Sequence, residues 1–232
     1  MVPSLLGPAN KSGDVMTLVK LTRPHRGVAV LTLDRPDKRN AINRDLARDF
    51  AEAVATIEHA DISVAVLEAQ GPIFCAGVDL GELPESADAL DSMVDLLLAR
   101  PIHWTAKVQR PVLGGGLALL AACPRVVSTP EASFGLPELA RGFFPSALMP
   151  AQIVSIGLRP AFGLALGSRP IDAPTALRHH LVSEICSADE VDSMVDVESV
   201  DLASRSVDAL RAGVANWQHR VRHATRLLDS GA

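Results

Sequence analysis

Apolar and polar positions divide most of the chain into short strands and amphipathic helices. Val28 to Leu33 is an apolar run of β-forming residues that reads as a buried strand. It is stopped by the turn signal Asp34-Arg35-Pro36-Asp37. Asn43 is placed to cap a helix in which Leu46, Phe50, Val54 and Ile57 recur at helical spacing between charged residues. Val64 to Leu67 repeats the strand pattern, Gly71 to Gly77 reads as a loop, and a helix is predicted through Met93, Leu96 and Leu97. Leu117 to Cys123 is apolar on all sides, as a buried helix would be, and Val126-Val127-Ser128 reads as a short strand. From Ala151 to Leu181 helical pieces are expected, broken by Pro160, Pro170 and Pro174. The tail from Asp189 carries a weak helical period. Strands alternating with helices predict an α/β class with parallel pairing. Residues 1–15 read as a loose lead-in.

Composition narrows the function. The 232 residues carry a formal charge of −5, with 48% hydrophobic and 21% charged positions, which fits a globular domain and disfavours duplex nucleic acid as a partner. The start has no secretory pattern, and no apolar run reaches membrane-span length, so a cytoplasmic protein is expected. Cys75, Cys123 and Cys186 are widely spaced and match neither a disulfide framework nor a zinc site. No tyrosine is present, which excludes phenol chemistry.

Three loops are candidates for chemistry. Gly114-Gly115-Gly116 opens a predicted helix, and glycine backbone can approach a phosphate or a developing oxyanion; close helix packing explains the same triplet equally well. Leu119 stands where a dinucleotide fingerprint needs a small residue, and no lysine follows for a phosphate loop. Phe74-Cys75-Ala76-Gly77-Val78-Asp79-Leu80 is a second small-residue loop. Gly135-Leu136-Pro137-Glu138 sets a carboxylate among Leu136, Leu139, Phe143 and Phe144. Such burial suits a general acid/base, while charging a helix start is the plainer alternative.

The remaining polar candidates read as structural. His179-His180 fits an exposed helix end, and His103-Trp104 a half-buried helix face. Asp172 reads as a turn residue and Cys75 as a small buried side chain. Ser146 and Ser168 lack a nucleophile-elbow pattern.

In this order the segments resemble the crotonase superfamily, the enoyl-CoA hydratase/isomerase group. The likeness runs from Leu31-Thr32-Leu33-Asp34-Arg35-Pro36 and Asn40-Ala41, through Phe74 to Leu80 and the triple glycine, to Phe134-Gly135-Leu136-Pro137-Glu138, Arg141-Gly142 and Pro145. It ends at Gly167-Ser168-Arg169-Pro170-Ile171, Ala176 and Leu181-Val182. The resemblance implies a spiral of ββα units over residues 1–186 and a helical C-terminal segment, 187–232, that serves oligomerisation or covers the acyl pocket. It further implies a trimer or hexamer and an acyl-CoA thioester as substrate. CoA then belongs to the substrate, and neither cofactor nor metal is required. The N–H groups of Val78 and Gly115 would hold the thioester oxygen as an enolate, with Glu138 as acid/base. Lys38, Arg39, Ala41, Ala76, Asp79, Leu80 and Gly114 would line the CoA path.

The chain departs from the resemblance in three places. The first of the hydratases' two glutamates falls at Ala118, a change that favours isomerisation by one carboxylate. Counting from Pro111-Val112, the segment before Gly114 is shortened, so Lys107 to Leu113 supplies either a shifted strand or none. The C-terminal segment is short, which would alter the trimer contact and the acyl tunnel. Hydratase is the leading expectation. Double-bond isomerase and an inactive acyl-CoA binder are the alternatives.

Overall fold

The computed structural model describes residues 17–58, 61–167 and 169–229, so the lead-in and Ser168 lie outside the described residues. The main sheet has the order β1 (Val19–His25), β2 (Val28–Leu33), β3 (Val64–Ala69), β4 (His103–Val108), β6 (Arg125–Ser128), β9 (Glu184–Ile185). β1 joins β2 antiparallel, and every later neighbour is parallel. A smaller sheet joins β5 (Val112–Leu113), β7 (Ser133–Gly135) and β8 (Ile171–Asp172).

Parallel strands need covered faces, and helices supply the cover. α1 (Arg44–Glu58) buries Leu46, Phe50, Val54 and Ile57 completely; Phe50 meets Trp104 of β4 with ring centroids 6.2 Å apart. The predicted cap is in place: Asn43 Oδ1 accepts from the Leu46 N–H at 3.0 Å. α2 (Glu85–Ala99) and α3 (Gly116–Ala121) follow, then α4 (Met149–Ile156), α5 (Leu158–Leu166) and α6 (Ala173–Arg178). The tail forms α7 (Val191–Ser204) and α8 (Val207–Asp229).

Two expectations are corrected. His103-Trp104 is not a half-buried helix face but the start of β4, an internal strand with Trp104 fully buried. The same strand removes the shortened segment. β4 starts four residues before Lys107 and ends at Val108, led in by Pro101-Ile102 rather than Pro111-Val112, and pairs residue by residue from Val64↔His103 to Leu67↔Ala106. β4 lacks a plain apolar run because Lys107 sits inside it. That ammonium is held by Asp192 of α7 at 2.6 Å and by Glu68 of β3. Arg125 makes a similar tie, to Glu184 at 2.6 Å and Glu198 at 2.7 Å.

The prolines act differently from the expectation as well. Pro160 and Pro174 occupy first turns, where a missing N–H costs little; the break before α5 falls at Gly157, whose φ is +82°. Asp172 caps α6, accepting from the Thr175 N–H at 2.9 Å, and His179-His180 follow that helix.

Candidate active site

Three connections at one end of the strands converge: the turn after β2, the loop after β3 and the segment from β5 into α3. Asn40, fully buried, joins the first two. Its side-chain amide donates to the carbonyls of Gln70 (2.8 Å) and Ile73 (2.9 Å), and its Oδ1 accepts from the Arg35 N–H (2.8 Å). The Arg35 guanidinium adds bonds to the Ala41 carbonyl (2.8 Å) and to Asp79 Oδ2 (2.9 Å). That guanidinium holds the Asp79 carboxyl below its ordinary range.

This clamp presents Val78. Ile42 bridges it in parallel: the Ile42 N–H donates to the Gly77 carbonyl and the Asp79 N–H donates to the Ile42 carbonyl, both at 2.8 Å. Val78's own N–H is left for the opposite side and bonds to none of the described residues. The Gly115 N–H is likewise unbonded among them, between a Gly114 N–H bound to the Gly135 carbonyl (2.9 Å) and the start of α3.

The glycines make this approach possible. A Cβ on Gly77, whose φ is +88°, would stand 2.9 Å from the Gly115 nitrogen and block it. A Cβ on Gly114, φ +53°, would lie 2.7 Å from Glu138 Oε1. Gly116 packs against Cys75 and Val112. The triplet therefore serves packing and close approach together.

Glu138 stands at the end of the β7 loop, 7% exposed. The Arg141 N–H donates to its carbonyl at 2.9 Å, while side-chain Oε2 is buried without a hydrogen-bond partner. Burial pushes its carboxyl above the ordinary glutamate range, opposed by a bond to its own backbone and by Arg141. Val78, Gly115 and Glu138 line one mainly apolar cavity of about 280 Å³, shared with Leu80, Leu90 and Phe144.

Of the other candidates, Ala76, Leu80 and Gly114 line this cavity. Lys38, Arg39 and Ala41 lie on the flanking turn, where Arg39 takes a left-handed φ of 55° and its carbonyl accepts from the Ala76 N–H at 3.1 Å. Asp79 faces Arg35. Burial pushes the Cys75 thiol up to about 12, which leaves it inert. Ala118 lies in the first turn of α3 and lines a neighbouring cavity. Sequence reasoning missed Arg35 and Asn40 as the clamp and Gly77 as the guardian of the Gly115 N–H. It also assigned no role to Asp91 of α2, which lines both cavities. Only the left-handed preference of glycine could have marked Gly77, since ion pairs between distant loops leave no local pattern.

Known proteins resemble this chain in sequence and fold. The sequence profile of the enoyl-CoA hydratase/isomerase family matches residues 23–228. Enoyl-CoA hydratase domain-containing protein 3, mitochondrial, from Mus musculus is 26% identical over 220 residues, covering 90% of this chain and 73% of that one. The 2,3-dehydroadipyl-CoA hydratase of Escherichia coli is 33% identical over 174 residues, covering 70% and 67%. The crystal structure of an enoyl-CoA hydratase/isomerase family protein from Silicibacter pomeroyi superposes with a TM-score of 0.82 at 26% identity, covering 91% of this chain and 94% of that one. The mixed α/β architecture, with its helical C-terminal region, is the crotonase fold, and the chain belongs to the enoyl-CoA hydratase/isomerase family.

Proposed function

We propose that the protein is an acyl-CoA enzyme that hydrates 2-enoyl thioesters through an enolate. The observation that carries this reading is the convergence, on one cavity, of two unbonded N–H groups and a buried carboxylate with an unpartnered oxygen. The Val78 and Gly115 donors meet the thioester oxygen and gain strength as it becomes anionic. Fixed donors of this kind need no reorganisation during the reaction. Glu138 takes a proton from a bound water, whose oxygen forms the new bond to C3. The resulting enolate then takes the proton from Glu138 at C2. CoA arrives as part of the substrate, and no cofactor or metal enters these steps. Ala76, Leu80 and Gly114 border the thioester; Lys38 and Arg39 offer positive charge to the anionic end of CoA.

Ala118 favours a second reading. With alanine in place of the second glutamate, Glu138 alone can remove a C2 proton from a 3-enoyl thioester and return it to C4, which moves the double bond without water. A third possibility is an acyl-CoA binder without turnover.

Crotonyl-CoA and a 3-enoyl-CoA, each offered to the protein and to Glu138→Gln, separate the three. Hydration lost in the variant supports the first reading. Isomerisation alone, lost likewise, replaces it with the second. Binding without turnover of either substrate leaves the binder. If hydration is the reaction, Ala118→Glu should raise it, because the missing second carboxylate is restored.

A further inference from the structure

The Val78 N–H belongs to the peptide that follows Gly77, and Gly77, at a left-handed φ of +88°, is the freest link beside it. The aim of that N–H therefore depends on what holds its neighbours. Ile42 holds both flanks, through the Gly77 carbonyl and the Asp79 N–H. One guanidinium nitrogen closes the arrangement. Arg35 Nη1 donates to the Ala41 carbonyl at 2.8 Å and to Asp79 Oδ2 at 2.9 Å, so it clips the residue before Ile42 to the residue after Val78. The two side chains are 11% and 22% exposed, which leaves the pair weakly screened. Glu82 is a second acid near the guanidinium, at 3.8 Å. The rest of Asp79 is engaged within the chain as well. Its Oδ1 accepts from the Gly81 N–H at 3.2 Å, and its backbone carbonyl accepts from the Ser86 hydroxyl of α2 at 2.8 Å.

On the acyl-CoA reading given above, we infer that Arg35 is a positioning residue for the reaction: through Asp79 it fixes the aim of the Val78 N–H, and Asp79 serves that placement rather than contact with CoA. Both Asp79 carboxylate oxygens already have donors from the chain, and a carboxylate would repel the anionic end of CoA. Neither side chain lines the cavity that holds Glu138, so the pair acts through the backbone. Its effect is selective between states. A neutral thioester oxygen is a weak acceptor and tolerates a donor that wanders. An enolate oxygen carries the charge, and the advantage of a fixed donor grows with that charge. The guanidinium holds the Asp79 carboxyl below its ordinary range, so the pair stays ionised at neutral pH.

Two thioesters read the two states without turnover. Calorimetry with butyryl-CoA reports ground-state binding. Acetoacetyl-CoA, which loses a C2 proton to the buffer, reports enolate affinity through the near-ultraviolet band of its enolate at fixed pH. Arg35→Met should lower enolate affinity about tenfold while butyryl-CoA affinity holds within about twofold. Asp79→Asn should do the same, and the double variant should lose no more than either single one, because the two groups act as a unit. Arg35→Lys keeps the charge and should recover part of the loss; with Asp79→Asn it carries the test if Arg35→Met does not fold. Equal losses for both thioesters overturn the inference. So do additive losses in the double variant, or an enolate affinity that none of the variants changes. Butyryl-CoA separates this inference from the reading beneath it. If the unaltered protein fails to bind it, the acyl-CoA reading falls and takes the inference with it. If the protein binds it and favours the enolate, but the variants leave that preference intact, only the role of Arg35 falls.

Discussion

At the residue scale, Glu138 is held in an environment that works against its charge. Because burial raises its pKa in the folded chain, the carboxyl stabilises the fold most at pH below the unfolded value, and that contribution is lost as pH rises through the folded value. Glu138→Gln should therefore raise the melting temperature at pH 8. The gain should shrink as pH is lowered through the raised pKa toward the ordinary glutamate range; a gain independent of pH would contradict the assignment. The same substitution should cut turnover about 10²–10⁴-fold, the usual scale of general acid/base help, while acyl-CoA binding persists. Gly77 offers an independent test. Gly77→Ala places a methyl against the Gly115 nitrogen at a left-handed φ, and should lower kcat about 10²–10³-fold in a protein that still folds by circular dichroism. Glu138 was legible in the sequence because apolar neighbours surround it locally. The clamp was not, because Arg35 and Asp79 are brought together only by folding.

At the scale of elements, the sequence pattern was readable wherever one face alone is buried. α1 shows this: its apolar stripe and Asn43 cap predicted both its start and its inward face. β4 escaped because its histidine, threonine and lysine break the apolar run, while distant acids on β3 and α7 neutralise Lys107. Pro111-Val112 then looked like the entry to a core strand, although it leads into the two-residue β5 of the smaller sheet. Asn40 binds the turn after β2 to the loop after β3, so Asn40→Ala leaves the Gln70 and Ile73 carbonyls without their donor. We expect a loss of about 0.5–1.5 kcal/mol for each of these part-buried bonds, read as a lower urea midpoint. Turnover should fall with it, because the same turn supports Ile42 and hence Val78. Phe50→Ala removes the ring packed on Trp104 and should cost about 3–5 kcal/mol. This loss should appear in stability, with kcat unchanged below the transition.

At the scale of the molecule, the described residues include no helix long and apolar enough to cross a membrane. Leu158, Phe162 and Leu166 are nevertheless exposed at four-residue intervals on α5, and Phe144 at the cavity mouth lies 6.0 Å from Phe162 by ring centroids. A contiguous apolar stripe of this kind marks a contact surface. It leads us to expect self-association. Sedimentation should give a mass above that of one chain, and Phe162→Asp/Leu166→Asp should reduce it; a monomer in the unaltered protein would refute the expectation. Fold class and family were readable from ordered motifs spread along the chain. The cavities were not, since their walls come from α2, α3, the β7 loop and α8, which no window of sequence contains.

The central claim is that a thioester enolate forms between the Val78 and Gly115 N–H groups and exchanges its proton through Glu138. Incubation of crotonyl-CoA in D₂O and of a 2,2-dideuterated 3-enoyl-CoA in H₂O, each followed by NMR, reads that step in either reaction. We predict deuterium at C2 of the hydrated product or at C4 of the isomerised one, with neither label appearing in Glu138→Gln. Label at equal rates in both proteins, or in neither from folded and CoA-binding samples, would contradict the account.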